Sequence, residues 1–435
     1  MELKEINSLV ELFFKKFEEN TSNDFEKMNE IFLISLKQKN EEKKLISGPL
    51  SYSWVMINNR IKILSNYLRE IISKGDRCIL LSENRPEWLI SDIAIMNAGG
   101  VTVPLFTTYS ENDYEYIVND CTPKVCIVSN DIQLRKIKKF IKKDTILISI
   151  DGFDKKIKCF EQIFSKVLLD EKDFIKLNNQ YNKEIQRNDL ACIIYTSGTT
   201  GNPKGVMLSH GGILSNCEGA QEILETLVEN EKPVFLTWLP LSHSYEHTVQ
   251  YVQISLKAKV YYAESLEKLL PNMLVAQPTI MTAVPRFYQN LYSKISLNLS
   301  KQKGLKKKLI ESTINLGIKN LNKEELNFKE KIIDFFCEKL VRRKIKKQFG
   351  GKLKAFVSGG GALDKKIGEF LNSIGLPTLQ GYGLTETSPV VSCNIPGKIK
   401  IETVGPPFKT NEVKIADDGE ILVKGENVML GYWNM

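Results

Sequence analysis

The sequence predicts an α/β fold, with a large N-terminal domain of two α/β subdomains that have mainly parallel sheets, followed by the start of a small β subdomain. Two observations lead to this prediction. Short apolar runs alternate with segments of helical periodicity, which is typical of parallel sheets connected by helices. From about residue 396 short strands and turns take over, as in a β subdomain. The 435 residues are 42% hydrophobic, enough for two or three cores.

The first predicted subdomain, residues 1–185, begins with an N-terminal helix. Residues 1–50 are rich in lysine and glutamate, and the apolar residues between Leu9 and Phe17 have amphipathic spacing. Helical periodicity returns from Trp54 to Ile72, and the sequence Asn84-Arg85-Pro86-Glu87-Trp88 opens another helix that ends near Gly99. The remaining predicted elements are strands at 78–81, 101–105, 125–128 and 146–150, and a helix at 111–119.

The second predicted subdomain, residues 186–395, repeats the alternation. Its predicted strands are 191–195, 234–236, 259–262, 278–282 and 355–358. The lysine-rich section 293–349 is predicted to be helical. The third unit, residues 396–435, is a partial β subdomain with strands at 412–415 and 420–423, separated by the turn Asp417-Asp418-Gly419.

The amino-acid composition of the chain restricts which partners and which cellular compartment the sequence predicts. The net charge of +8 fits anionic small molecules or a membrane surface, and no nucleic-acid-binding module is visible, so no nucleic-acid partner is predicted. The eight cysteines are scattered without zinc spacing, and the N-terminus lacks the apolar core of a signal peptide. We therefore expect free thiols in a reducing cytoplasm, with the option of peripheral contact at the inner face of the membrane. The sequence does not predict the oligomeric state.

The segment from Tyr195 to Gly205 is the most informative in the chain. It follows an apolar strand and combines serine and threonine hydroxyls, three glycines and Lys204. Glycines allow successive backbone N–H groups to form an anion-binding concavity, and hydroxyls and a lysine add donors and charge, so the segment predicts a polyphosphate-binding loop. It is not a Walker A loop, because Gly198 and Gly201 are only two residues apart and Gly205 follows the lysine.

Two further glycine-containing motifs follow predicted strands. The run Gly381-Tyr382-Gly383-Leu384-Thr385-Glu386-Thr387 supplies an aromatic ring, a hydroxyl and a carboxylate, which suit adenine or ribose, phosphate and Mg²⁺. It is not a dinucleotide fingerprint, because glutamate stands where a third glycine is needed. The run Ser358-Gly359-Gly360-Gly361-Ala362-Leu363-Asp364 would let the backbone approach a flat ligand, or it is an ordinary turn between a strand and a helix.

Two other patterns allow more than one interpretation. His243-x-x-Glu246-His247 matches a zinc-protease pattern, which requires a helix and a further ligand. The cluster Arg342-Arg343-Lys344-Lys346-Lys347 is either a solvated helix face or a contact for a membrane surface or a CoA phosphate.

The order Tyr-Thr-Ser-Gly-Thr-Thr-Gly-x-Pro-Lys-Gly at 195–205 resembles the phosphate loop of the adenylate-forming, AMP-binding enzymes. The motifs at 358–364 and 381–387 resemble that family in the same order. Leu239-Pro240-Leu241-Ser242-His243, Asn84-Arg85-Pro86-Glu87-Trp88, Tyr432 and the run 419–425 resemble its long-chain acyl-CoA synthetase branch. The resemblance covers residues from about 50 to 435.

The resemblance implies ATP-dependent activation of a long-chain fatty acid to acyl-AMP and its transfer to CoA, with Mg²⁺ as cofactor. It implies catalytic roles for Lys204, His243, Thr385 and Glu386, and an acyl pocket near Trp238, His243 and His247. Thr196 and Glu386 would hold Mg²⁺. The residues implied to bind ATP are Thr196, Ser197, Gly198, Thr199, Thr200, Gly201, Lys204, Gly360, Gly361, Ala362, Gln380, Gly381, Tyr382, Gly383 and Thr385.

The family pattern continues past the point where this sequence ends. After Tyr432 the resemblance implies a Thr-Gly-Asp motif, a hinge and a small C-terminal domain that carries an adenylation lysine. We therefore expect a fragment or a naturally short chain, with an intact nucleotide site but weak turnover on its own. The alternatives are a non-catalytic nucleotide- or acyl-binding remnant, and a ligase that uses another acid or loads a carrier protein.

Overall fold

The computed structural model describes residues 32–35, 51–165, 185–197, 201–228 and 231–435. The helix predicted near Leu9–Phe17 lies outside these residues. The strands of the described part, in chain order, are β1 (Phe32–Ser35), β2 (Ser51–Ser53), β3 (Arg77–Leu81), β4 (Val101–Pro104), β5 (Val125–Val128), β6 (Ile146–Ser149), β7 (Lys158–Cys159), β8 (Leu190–Thr196), β9 (Lys204–Ser209), β10 (Val234–Thr237), β11 (Lys259–Tyr262), β12 (Ile280–Ala283), β13 (Ala355–Ser358), β14 (Thr378–Gly383), β15 (Val390–Cys393), β16 (Asn411–Ile415), β17 (Ile421–Gly425) and β18 (Gly431–Tyr432).

The helices of the described part follow the predicted alternation. They are α1 (Trp54–Arg69), α2 (Pro86–Asn97), α3 (Glu111–Cys121), α4 (Asp131–Ile137), α5 (Phe160–Phe164), α6 (His210–Glu225), α7 (Ser244–Ser255), α8 (Leu269–Ala276), α9 (Pro285–Ser300), α10 (Gly304–Leu321), α11 (Phe328–Cys337), α12 (Arg343–Gln348) and α13 (Lys365–Ser373). A π-helical turn, Glu338–Arg342, joins α11 to α12. Pro86 occupies the first turn of α2, where its missing N–H costs nothing.

Two eight-stranded sheets form the framework. The first has the order β18-β9-β8-β4-β3-β5-β6-β7 and is parallel from β8 to β7. The second has the order β15-β14-β13-β12-β10-β11-β1-β2 and is parallel from β14 to β1. Antiparallel strands lie only at the sheet ends, so the prediction of mainly parallel sheets is confirmed.

Each sheet packs helices on both faces, because alternate side chains of a strand point to opposite sides. In β3, Cys78 and Leu80 enter one core with α1, α2, α6 and α7, while Ile79 and Leu81 enter another with α3. In the second sheet, Phe235 joins the same central core, and Leu236 packs with α8, α9 and α13. The central helices, which include α2, α6 and α7, therefore lie between the two sheets.

The strand pairing divides the chain differently from the predicted boundary at 185/186. Strands β8 and β9 extend the first sheet, because β8 pairs with β4 in parallel. Strands β1 and β2 instead extend the second sheet, although they precede the first in sequence. In the predicted β subdomain 396–435, β16 and β17 form a separate hairpin, and β18 returns to pair with β9.

The eight cysteines are buried and free of disulfides, as expected. Across the described ranges, no helix combines the length and the apolar character that a membrane crossing requires.

Candidate functional site

A cavity of about 430 Å³ lies where the second sheet meets helices α6 and α7. Its polar part gathers the carboxyl end of β8, the loop after β13, the end of β14 and the first residues of α7. Its apolar part runs between the sheet and the two helices. Carboxyl ends of parallel strands are the usual place for ligands in open α/β sheets, and here strands from both sheets contribute.

The predicted phosphate loop connects β8 to β9 at the mouth of this cavity. Thr196 and Ser197 line the cavity, and Thr196 pairs with Lys204 in the antiparallel ladder. The Nζ atom of Lys204 lies 5.3 Å from the centre of the Tyr432 ring. Gly198, Thr199 and Thr200 fall outside the described residues, and Gly201 is exposed at the tip of the hairpin.

Thr385 and Glu386 face the same cavity from a short 3₁₀ turn. The Thr385 and Ser244 hydroxyl oxygens are 3.0 Å apart, which links the turn to the start of α7. The hydroxyl of Tyr432 donates to Glu386 Oε1 at 3.0 Å. Tyr432 therefore lies between the loop lysine and the carboxylate, although they are far apart in sequence.

Buried hydrogen bonds hold this turn in place. Asn216 of α6 donates from Nδ2 to the Thr387 carbonyl at 3.2 Å and accepts from the Val390 N–H at 2.7 Å. At Gly383 a Cβ would lie 2.0 Å from the carbonyl oxygen of Pro389, so no larger residue fits there. Helix α6 and the close approach at Gly383 thus fix the position of Glu386.

The two other glycine motifs contribute unequally to the cavity. Gly381, Tyr382 and Gly383 line it, but they belong to strand β14 itself, whereas the sequence analysis placed this motif after a strand. Gly359 and Gly360 also line it, and the positive φ of Gly360, +77°, suits glycine.

The remaining predicted ATP residues, Gly361, Ala362 and Gln380, are not among the residues that line the cavity. Gly361 and Ala362 are exposed just beyond it. Gln380 is buried, accepts from the Leu363 N–H at 2.5 Å and donates to the Ile401 carbonyl at 3.2 Å. Gln380 therefore supports the glycine loop from behind.

His243 is the residue that caps α7, and its side chain lines the cavity. Its Nδ1 accepts from the Tyr245 N–H at 3.2 Å, which leaves the ring proton on Nε2. Desolvation by the surrounding protein lowers the pKa of His243, so the imidazole is neutral near pH 7. His243 can therefore offer an N–H donor, but no positive charge, to a ligand in the cavity.

Neither Trp238 nor His247 is among the residues that line the cavity. The indole N–H of Trp238 donates to the Thr282 carbonyl at 2.8 Å, and its ring packs against Phe287. His247 is fully buried, with Nε2 2.6 Å from Asp92 Oδ2. Burial opposes a charged His247, but Asp92 outweighs it and raises the pKa of His247 to about 10. The structure thus makes His247 part of a buried ion pair between α2 and α7.

The zinc-protease interpretation has no support in the described residues, which contain no group of three or more His, Cys, Asp or Glu side chains that could hold a metal. Glu246 instead accepts from the Thr282 hydroxyl at 2.7 Å. Burial raises the pKa of Glu246 to about 7, against the opposing effect of its hydrogen bonds.

The apolar lining is the part that the sequence interpretation missed. It comes from the facing sides of α6 and α7, from alternate residues of the strands, and from Phe408. Its apolar residues include Ala220, Ile223, Leu224, Phe235, Val249, Val252, Ile280, Val357, Val390, Cys393 and Phe408. The spacing of Asn216, Ala220, Ile223 and Leu224 marks one face of a helix, but that pattern does not distinguish a cavity wall from ordinary core.

The chain is similar in sequence and in structure to known proteins. A long-chain-fatty-acid–CoA ligase from Mycobacterium bovis, FadD15, is 30% identical over 368 residues, which cover 83% of this chain and 60% of the relative. Fatty acyl-CoA synthetase A from Dictyostelium discoideum is 30% identical, with 83% and 56% covered. The chain thus spans less than two thirds of the length of these relatives.

A benzoate CoA ligase from Burkholderia xenovorans has a similar structure, with a TM-score of 0.70 at 17% identity, covering 98% of this chain and 73% of the ligase. At that identity the likeness shows the fold alone. The sequence model of the family described as AMP-binding enzyme matches residues 34–433, nearly the whole chain. The chain therefore belongs to the AMP-binding enzyme family.

Proposed function

We propose that the protein activates a long-chain fatty acid with ATP, forming an acyl-adenylate, and transfers the acyl group to CoA. The observation that supports this proposal is that one cavity has both a polar part and an apolar part. Its polar mouth holds Thr196, Ser197, Thr385 and Glu386, and its apolar part reaches past Phe235 between sheet and helices. An adenylate with a long apolar tail requires both parts at once.

In the first step, a carboxylate oxygen of the acid attacks the α-phosphorus of ATP. The bond from that phosphorus to the bridging oxygen breaks, and pyrophosphate leaves. The step needs charge neutralisation more than proton transfer. Lys204 and the hydroxyls of the 196–200 loop would bind the β- and γ-phosphates, and Thr385 the α-phosphate. Tyr382, Gly383 and the 358–362 loop would bind the adenosine.

The oxygen atoms at the mouth suit Mg²⁺, a hard cation that prefers such ligands. Thr196 at the end of β8 and Glu386 in the turn between β14 and β15 line the same cavity. They would hold the ion, which supplies neutralisation of phosphate charge when bound. Tyr432 would orient the Glu386 carboxylate through the hydrogen bond from its hydroxyl.

His243 would orient the fatty acid carboxylate at the junction of the two parts. As a neutral imidazole with its proton on Nε2, it can donate one hydrogen bond to a carboxylate oxygen. It would not form an ion pair, so the carboxylate would keep its nucleophilicity. Trp238 and His247, which the resemblance implies for the acyl pocket, would act indirectly by packing α7 and the adjacent strands.

In the second step, the CoA thiolate attacks the acyl carbon, and the bond to the adenylate oxygen breaks to release AMP. The proposed substrates are thus the fatty acid, ATP and CoA. A cytoplasmic location and peripheral membrane contact remain predictions of the sequence.

The direct experiment measures release of AMP that depends on both ATP and a fatty acid, using the chain within its full-length protein. We expect release with long acids and CoA. Binding of ATP and acid without AMP release would favour a non-catalytic binding protein. Release with a carrier protein but not with CoA would favour the carrier-loading ligase.

A further inference from the structure

Helix α11 presents apolar side chains outward, on the side of the molecule formed by the lysine-rich helices. Phe328, Ile332, Phe335, Phe336 and Leu340, here called the α11 face, are between 46% and 78% exposed. Their spacing of three and four residues places them along one side of the helix and its π-helical continuation. Five large apolar residues on one side of a helix form a contiguous patch, not scattered exposure.

The opposite side of α11 faces the protein and combines two ion-paired carboxylates with the buried Cys337. Glu330 accepts from Lys319 Nζ at 2.7 Å, and Asp334 accepts from Arg342 Nη2 at 2.8 Å. Arg342 is only 8% exposed and also donates to the Ser373 carbonyl. The helix is therefore held to the protein by ion pairs and by buried side chains on its inner side, while large apolar side chains also face outward, where an ordinary surface helix is polar.

Positive charge surrounds the α11 face. Between residues 328 and 348 there are eight basic residues and three acidic ones. Two of the acidic residues, Glu330 and Asp334, are used in the inward ion pairs. The exposed basic residues are Lys329, Lys331, Lys339, Arg343, Lys344 and Lys347. Lys339 Nζ also lies 4.4 Å from the centre of the Phe335 ring, at the edge of the patch.

The exposed apolar side chains and the positive charge around them together indicate which kind of partner the α11 face binds. A second copy of the chain would bring the same positive charges together, which opposes self-association. Phenylalanine and isoleucine with lysine and arginine along their edge are instead the composition of helices that lie in a membrane interface. Basic residues near such a helix attract anionic lipid headgroups.

We propose that the α11 face docks the protein on the surface of a membrane that contains anionic lipids. Phe335 and Phe336 would enter the headgroup region, and Lys344 and Lys347 would contact lipid phosphates. This site is more specific than the basic cluster 342–347, because Arg342 is buried in an ion pair. The inference does not depend on the ligase activity, although a bilayer would also present fatty acids to the protein.

The test is co-flotation with vesicles of phosphatidylcholine alone or with about one third phosphatidylglycerol. The apolar variant is Phe335→Ser with Phe336→Ser, and its control is Ile415→Ser with Leu422→Ser, which changes exposed apolar residues on β16 and β17. The charge variant is Lys344→Glu with Lys347→Glu, and its control is Lys398→Glu with Lys400→Glu, which are also exposed. Circular dichroism and sedimentation check folding and association.

We expect wild-type protein to bind anionic vesicles at least about tenfold more tightly than neutral ones. Each α11 variant should lose at least about tenfold in this affinity, while the two controls keep it. The proposal is overturned if the wild-type protein does not bind anionic vesicles, or if folded α11 variants bind these vesicles as well as their controls do. A dimer that dissociates in the phenylalanine variant, without lipid binding, would identify the face as a protein interface instead.

Discussion

Glu246 is a carboxylic acid that folding encloses beside the cavity, with a pKa raised to about 7 from an ordinary value of 4.5. Below about pH 4.5 it is protonated in both the folded and the unfolded chain. Between about pH 4.5 and 7 the unfolded chain has lost a proton that the folded protein keeps, so stability falls as the pH rises. Above about pH 7 this contribution no longer changes.

Replacing Glu246 with Gln should remove this pH dependence. Between about pH 5 and about pH 8, the wild-type free energy of unfolding should fall by about 2–3 kcal/mol more than that of the variant. Urea unfolding at both pH values measures the difference, and Glu420→Gln, at an exposed position, is the control. Equal losses in wild type and Glu246→Gln would mean that Glu246 is not buried as described.

The second prediction for a single residue concerns Lys204. Its charge should contact ATP phosphates, so Lys204→Ala should weaken ATP binding by about 1.5–3 kcal/mol. Calorimetry with MgATP gives the number, and Lys398→Ala at an exposed position controls for the loss of one positive charge. An unchanged affinity in Lys204→Ala would remove the lysine from the proposed nucleotide site.

At the scale of elements, the Asp92–His247 ion pair joins α2 to α7, the helix that carries His243 at its start. Both side chains are fully buried. Asp92→Asn leaves a buried imidazolium without its partner and should destabilise the protein by about 3–5 kcal/mol. Asp131→Asn, which breaks the exposed pair with Arg135, should cost less than about 1 kcal/mol.

Urea unfolding of these two variants checks that prediction. A cost for Asp92→Asn no larger than for Asp131→Asn would show that the two central helices are held by apolar packing alone. The comparison is informative because both substitutions remove the same charge from the same residue type.

Helix α6 supplies one wall of the apolar part of the cavity through Ala220 and Ile223. Ala220→Trp should fill that space and reduce the affinity for long acids by at least about tenfold, since each buried methylene contributes up to about 0.8 kcal/mol. ATP binding at the polar mouth should be retained. Glu222→Trp on the exposed side of α6 is the control.

A binding series with acids of about six to eighteen carbons tests the Ala220 prediction. The variant should bind short acids normally and gain nothing from longer chains, whereas wild type and control should gain with each methylene. Equal gains in the variant would place the acyl chain elsewhere.

At the scale of the whole molecule, the sequence predicted most of the elements because their signals are local. The apolar run 78–81 and the proline at position 86 each act within a few residues. It did not predict which sheet each strand joins. The pairing of β8 with β4 and of β1 with β11 depends on contacts between residues far apart in the chain.

The residues of the candidate site likewise fall into those that the sequence analysis assigned correctly and those that it did not. The glycine and hydroxyl motifs were recognisable because loops at strand ends need particular residue types, and Thr196, His243, Thr385 and Glu386 do face one cavity. The assignments of Trp238 and His247 to the acyl pocket rested on the resemblance of the segment around His243 to long-chain acyl-CoA synthetases. His243, however, is the N-cap residue and has an extended backbone, so its side chain does not follow the helical spacing, whereas His247 lies within α7 and contacts Asp92.

The central claim is that one cavity binds an adenylate and a long acyl chain together. Its most direct test is calorimetry with a series of N-acylsulfamoyl adenosines, stable mimics of an acyl-adenylate, with acyl chains of about two to about sixteen carbons. The account predicts affinity that rises with each methylene, by up to about 0.8 kcal/mol, until the cavity is full. Affinity that is the same for the shortest and the longest chains would contradict it.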